Sequence, residues 1–277
     1  MKKQLLIGIE WANEVETEIN QNINTIPFIE IIPDNFFEVN SSQEEFIKLI
    51  NKNKIPVIIH SVNLSLLSMD KFKSSYFDKI LSVANKFNTI HSFSDHLCMT
   101  DVAGTSVNQL TPASYNDSTF DSIKMKIQKI QERISTPFAV ENISLPFVIP
   151  NQQYKETTFI NNLCKETGCK LLLDLNNVYT NSVNFGENPY SYIDELNLEN
   201  LDSIHLAGGF FDQNNILQDG HNQPVPTEVW ELYNYTLSKV KASIPTIVER
   251  TGNNHKEGLG PIIKDMRTAV MLSEKYI

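Results

Sequence analysis

The sequence predicts an α/β protein, a closed (β/α)8 barrel in which residues 1–277 form a single domain. Three observations predict it. Short apolar runs alternate with longer stretches of helical period along the whole chain, eight times over. The apolar runs are continuous, as parallel strands covered on both faces require. The length of 277 residues also suits one barrel, since such folds run to about 250 residues as one domain.

The first strand is read at Leu5 to Ile9 and its helix around Val15 to Gln21. The second, Phe28 to Ile32, leads to a helix around Glu44 to Asn51, where Ser42 precedes an acidic first turn and suits a cap. The third strand, Pro56 to Ile59, precedes a helix at Tyr76 to Phe87. The fourth, Ile90 to Ser94, and its helix, Phe120 to Ile134, are separated by a loop from Thr100 to Asp117, long enough for a lid or substrate loop. The fifth strand, Phe138 to Val140, leads to a helix at Thr157 to Thr167 that Gly168 closes. The sixth, Lys170 to Leu173, is followed by a helix at Pro189 to Leu196 with Pro189 in its first turn. The seventh, Leu201 to Ile204, enters a second long loop, Ala207 to Pro226, before a helix at Val229 to Val240. The eighth, Thr246 to Val248, ends at a helix from Ile262 to Glu274. No internal repeat or linker marks a domain boundary.

Composition narrows the function. Hydrophobic residues make up 41% and charged residues 20%, which suits a packed core and excludes a disordered or collagen-like chain. A net charge of -10 without a basic patch repels phosphates, so nucleic acid is not an expected partner. The N-terminal run MKKQLLIGIEW is broken by Glu10, too early for a signal or membrane segment, so no membrane association is expected. Three cysteines, an odd count, argue against a disulfide framework and fit the reducing cytoplasm. Cys164 and Cys169 flank a helix end with no histidine near them and read as packing residues, whereas Cys98 follows His96 by two.

Catalytic residues of such barrels project from the C-terminal ends of the strands. Those ends read Glu10, Asp34, His60, Asp95 and His96, Glu141 and Asn142, Asp174 with Asn176 and Asn177, His205, and Glu249 with Arg250. One histidine at a strand end is more often hydrogen-bonded structure than a ligand. The set changes that, because so many charges buried at one rim would each carry a desolvation penalty of several kcal/mol without a counter-ion. Asp219 and His221 form a D-x-H pair in the loop that follows His205. The candidates His60, His96, Glu141, Asp174, Asn177, His205, Asp219, His221 and Glu249 exceed what one ion needs, which predicts at least two metals with a carboxylate such as Glu141 bridging. Nitrogen and oxygen donors without thiolate suit non-haem iron, manganese or zinc. His91, at the start of its strand, and His255, in the loop after the last, are assigned no chemistry.

In order, the stretches FIEIIPDNFF, IIHSVNLSL, SDHL, LTPASYN, AVENIS, LLLDLNNVY, IHLAGG, DGHNQPVPTEVWELY and IVER, from Phe28 to Arg250, resemble the multinuclear non-haem iron-dependent oxidative (MNIO) enzymes, the MbnB-like family. The resemblance implies a xylose-isomerase-like TIM barrel whose rim holds two or three iron ions and uses dioxygen to oxidise a ribosomally made precursor peptide, commonly at cysteine. It implies the same nine ligands, and a separate peptide-recruiting partner protein. Asp95 and Asn142 are the expected outer partners of the ligands. The chain departs from the family at Asp34-Asn35, at Ser61-Val62-Asn63 and at Thr251, neighbours of the ligands rather than ligands. Two other readings fit the strand ends. One is a divalent-metal isomerase or endonuclease barrel, disfavoured by the lack of a strand-end lysine and by the acidic charge. The other is a non-catalytic metal-binding barrel.

Overall fold

The computed structural model describes residues 6–240, 242–250 and 258–276. Eight strands close the barrel: β1 (Ile7–Glu10), β2 (Ile29–Ile31), β3 (Val57–Ser61), β4 (Ile90–His96), β5 (Phe138–Glu141), β6 (Lys170–Asp174), β7 (Leu201–Leu206) and β8 (Thr246–Val248). Each pairs in parallel with its sequence neighbours, and β1 pairs with β8. The xylose-isomerase-like barrel expected from the sequence is the fold of the protein. Leu5, where the first strand was expected to start, lies outside the described residues, as do Thr251 and His255.

Alternate residues of a strand share a face. Phe28, Ile58 and Ile247 form a small buried cluster of their own inside the barrel. The much larger second cluster joins the outer strand faces to the helices, with Trp11, Phe36 and Phe46 packed in tilted contact at 4.5 to 5.9 Å between ring centroids. Burying each such ring stabilises the fold by about 1.5–3 kcal/mol.

The helices are α1 (Glu16–Asn22), α2 (Ser41–Asn53), α3 (Ser74–Ala84), α4 (Asp117–Gln131), α5 (Glu156–Thr167), α6 (Leu175–Phe185), α7 (Pro189–Glu195), α8 (Thr227–Val240) and α9 (Gly260–Ser273). Gly168 closes α5 in the left-handed conformation and Pro189 opens α7, as expected. The cap of α2 is Asn40, in a reciprocal capping box with Gln43, whereas Ser42 lies inside the helix and bonds Glu16. Three further features differ from expectation. The sixth strand runs directly into α6, an extra helix. The loop from Thr100 to Asp117 contains most of a two-stranded hairpin, Met99–Val102 paired with Thr105–Thr111. The loop from Ala207 to Pro226 holds a short ribbon, Phe210–Phe211 with Leu217–Gln218. Among the described residues no helix is long and apolar enough to cross a membrane.

Candidate metal centre

The inner face that begins with Gly8, Phe28, Ile58, Ser94, Ala139, Leu172, Ser203 and Ile247 ends, two residues later, with Glu10, Glu30, His60, His96, Glu141, Asp174, His205 and Glu249. Every strand therefore delivers one ligand-type side chain to the same mouth of the barrel. Register locks them side by side: Glu10 opposite Glu30, His96 opposite Glu141, Asp174 opposite His205. All eight are buried.

Glu141 lies among three imidazoles. Its Oε2 is 3.4 Å from His60 Nε2 and 3.5 Å from His96 Nε2, and its Oε1 is 3.5 Å from His205 Nδ1. His205 Nδ1 is also 3.2 Å from Glu249 Oε1, and Glu249 Oε2 lies 3.8 Å from His221 Nδ1. His221 Nε2 faces Asp219 Oδ1 at 2.8 Å, and Asn176 donates to that oxygen. Four groups of donors thus fall within 4.8 Å: His60, His96, Glu141; Glu141, Asp174, His205; Glu30, His205, Glu249; and Glu10, His221, Glu249. They are linked through Glu141, His205 and Glu249, which each belong to two.

Local structure aims the donors. Asp174 caps α6, its Oδ1 accepting from Asn177 N at 2.6 Å, so that Oδ2 is left buried without a hydrogen bond. Asn142 clamps the Asp174 backbone from both sides and accepts from Asn177 Nδ2, leaving Asn177 Oδ1 without a partner. His221 sits in the left-handed region at φ 47, a conformation that costs a non-glycine residue about 1–3 kcal/mol and that clusters at functional sites. A Cβ on its neighbour Gly220 would lie 2.6 Å from the exposed Phe210 ring, which would have to shift. Gly209 is the tighter case, since its Cβ would lie 2.1 Å from the backbone carbonyl of Gln218 where the ribbon folds back over the mouth.

Burial pushes the Glu10 carboxyl up to about 8, and the charges of Glu249 and Glu30 add to the effect. Burial likewise takes Glu30 up to about 7 against the pull of His205. Asp174 is driven well above the carboxylate range by burial and then by Asp219 and Glu249. Burial also works to raise Glu141 and Glu249, yet surrounding imidazoles, led by His96 for the first and His205 for the second, outweigh it and hold both low. Burial works to lower His205 and His221, and the carboxylates around them, led by Glu249 and Asp219 respectively, raise both instead. Burial takes His60 down to about 3, leaving it neutral with a lone pair to offer. In the metal-free protein, protons on His205, His221, Glu10 and Asp174 supply the neutralisation that cations would supply.

All nine residues singled out from the sequence stand at this mouth, in one connected arrangement. Asn177 and Asp219 enter it from α6 and the ribbon loop rather than from a strand. Sequence reasoning missed Glu30 altogether and gave Glu10 no role as a donor. Asp95 faces away from the mouth and accepts from Ser61 Oγ and Leu64 N, bracing the turn after β3 instead of a histidine. Asp34 accepts from Tyr76 and stays outside the cluster. His91, near Asp202 and edge-on to Phe28, lies at the far end of its strand. Cys98 is buried with its thiol pushed well up, and Cys164 and Cys169 are buried and unbridged.

The donor set fits a group of cations. Glu141 Oε2, Asp174 Oδ2, Asn177 Oδ1, Glu249 Oε2 and Glu30 Oε1 are buried and accept no hydrogen bond, a costly state for an acceptor that nothing else satisfies.

Solved structures share the architecture. A D-psicose 3-epimerase solved in the presence of D-fructose superposes with a TM-score of 0.63 at 14% identity, covering 98% of this chain and 99% of the other. Endonuclease IV from Thermus thermophilus gives 0.59 at 14% identity, covering 97% and 99%. At those identities the likeness is one of fold. Sequence relatives are closer: a UPF0276 protein of Acaryochloris marina is 32% identical over 242 residues, 87% of this chain and 86% of the relative. A UPF0276 protein of Caulobacter vibrioides is 31% identical over 225 residues, 81% and 79% of the two chains. The family model for the RiPP precursor modification enzymes MbnB/TglH/ChrH, acting on ribosomally made peptides, matches residues 6–266, and the chain belongs to that family.

Proposed function

We propose that the protein is an iron-dependent oxidase that consumes dioxygen to modify a ribosomally made precursor peptide at cysteine. The observation that carries the metal part is the delivery of one donor from each of eight strands to one buried level, joined into four overlapping groups. His60, His96 and Glu141 would hold one ion. Glu141, Asp174, Asn177 and His205 would hold a second, and Glu249, His221 and Asp219 a third. The six carboxylates at the mouth, Glu10, Glu30, Glu141, Asp174, Asp219 and Glu249, carry together the charge that three divalent cations would cancel if the imidazoles are neutral. Bound iron supplies the one-electron and dioxygen chemistry that no side chain of the protein can.

The chain itself does the holding, aiming and admitting. Asp219 and His221, with side chains 17% and 23% exposed, form the open side of the cluster, and His96 is the most exposed of the strand-borne donors. A substrate therefore approaches past them. The long loops at that mouth carry exposed apolar side chains, Val102 and Val107 on the hairpin, Phe147 and Val148 after β5, Phe210, Phe211 and Ile216 on the ribbon. They supply contact area for a peptide, and a separate recruiting protein would bring it there. Anaerobic loading with iron(II), Mössbauer spectroscopy, and co-expression with small open reading frames from the same gene neighbourhood test this. Stoichiometric iron and an oxygen-dependent mass change in a peptide are expected; a protein that retains no iron, or a change that proceeds without oxygen, would contradict it.

A further inference from the structure

We infer that Glu30 is a positioning residue, whose carboxylate holds the Nε2–H of His205 so that Nδ1 is the nitrogen presented to the metal ions. The inference rests on the metal reading of the mouth and not on the peptide or on dioxygen. Glu30 and His205 belong to β2 and β7, strands that are not neighbours in the barrel, so their contact crosses its interior. Glu30 Oε2 lies 3.0 Å from His205 Nε2, and both side chains are 0% exposed. The other ring nitrogen, Nδ1, faces Glu249 Oε1 at 3.2 Å and Glu141 Oε1 at 3.5 Å, the two carboxylates shared between donor groups. A neutral imidazole has one N–H and one lone pair, so the group that takes the N–H decides which nitrogen can ligate.

His60 shows the opposite choice. Its Nδ1 is 2.9 Å from Ser94 Oγ, and its Nε2 is directed at Glu141. Two histidines in one cluster thus turn different ring nitrogens toward Glu141. A carboxylate buried inside the barrel, on the same face of β2 as Phe28, is costly unless it is paired, and His205 is the pairing this structure gives it. A carboxylate behind a ligating histidine fixes the ring and raises its basicity.

Zinc(II), which is diamagnetic, is the probe. Long-range 15N correlation spectra of histidine-labelled, zinc-loaded protein identify which nitrogen of each ring carries the proton, with His205 assigned by loss of its signals in His205→Gln. The expected wild-type result is a proton on Nε2 and a metal-shifted Nδ1. Glu30→Ala should bind the same number of zinc ions with about 10–100-fold weaker affinity at the His205 position, read by chelator competition. Glu30→Gln, which preserves shape and an acceptor oxygen, should keep the Nε2–H and lose less. Its thermal unfolding separates this effect from misfolding. A His205 that ligates through Nε2, one zinc fewer in Glu30→Ala, or unchanged affinity in both variants would each overturn the inference while leaving the metal reading intact. A wild-type protein that takes up no zinc and no iron would end both.

Discussion

Replacing Glu10 by glutamine separates the cost of crowding carboxylates from the benefit of binding cations. Its carboxyl stands at about 8 in the folded, metal-free protein, against an ordinary value of 4.5. The folded pKa is raised, so between those two values the folded state keeps a proton that the unfolded state has lost. Stability therefore falls as pH rises through that window, by about 1.4 kcal/mol per pH unit. Carried to pH 7, the cost is about 3 kcal/mol, of which part is shared with Glu249 and Glu30, so Glu10→Gln should stabilise metal-free protein by about 2–3 kcal/mol at pH 7 and by almost nothing near pH 4.5. Urea unfolding of chelator-treated protein across pH 5 to 8 measures this. In metal-loaded protein the sign should reverse, because glutamine cannot contribute the charge that helps hold an ion. If Glu10→Gln were less stable than wild type at pH 8 without metal, the claim that these carboxylates burden the empty barrel would fail.

Three further outcomes follow from the geometry. Glu141→Gln should cost at least one bound metal equivalent and weaken a second, since Glu141 belongs to two donor groups; elemental analysis after anaerobic loading checks it, and a full complement would show that Glu141 bridges nothing. Metal binding should release protons and tighten as pH rises, because His205 and His221 are held protonated by their carboxylates in the empty protein; calorimetry in buffers of different ionisation enthalpy gives the number, and zero would contradict it. Gly209→Ala should prevent the ribbon from closing over the mouth, with loss of metal at the Asp219 and His221 side but not at His60 and His96; its metal content and its protection from proteolysis at Phe210 and Phe211 are the measurements.

The alternation of strands and helices was legible because each strand carries a short apolar-rich run, the pattern a covered parallel barrel imposes, although β2, β4 and β7 also hold polar residues within them. Of the residues in the four groups, all but Glu30 lay where chain order pointed, at strand ends and in the loop that returns over them. Glu30 escaped because it lies inside an apolar run whose end was sought at Asp34. Counting by two from Phe28 would have found it, since inward positions repeat with that period. The same parity separates Asp95 from His96, adjacent in sequence and on opposite faces of β4. Helix α6 was hidden by its asparagines, weak helix formers in LNNVYTNSVNF, although Asp174 as cap and Gly186 as left-handed stop were both present. The hairpin turn at Ala103 and Gly104 takes positive φ at both residues, a conformation that Asn-Gly advertises and Ala-Gly does not.

The central claim is that the barrel mouth is a cluster of cation sites joined by shared carboxylates. Anomalous diffraction at the iron edge, from crystals of anaerobically loaded protein, tests it most directly. The account predicts a peak bounded by His60, His96 and Glu141, a second against Asp174 and His205 Nδ1, and density toward Glu249 and His221. Peaks elsewhere on the surface with an empty mouth, or a single peak with Glu141 contacting no ion, would contradict it.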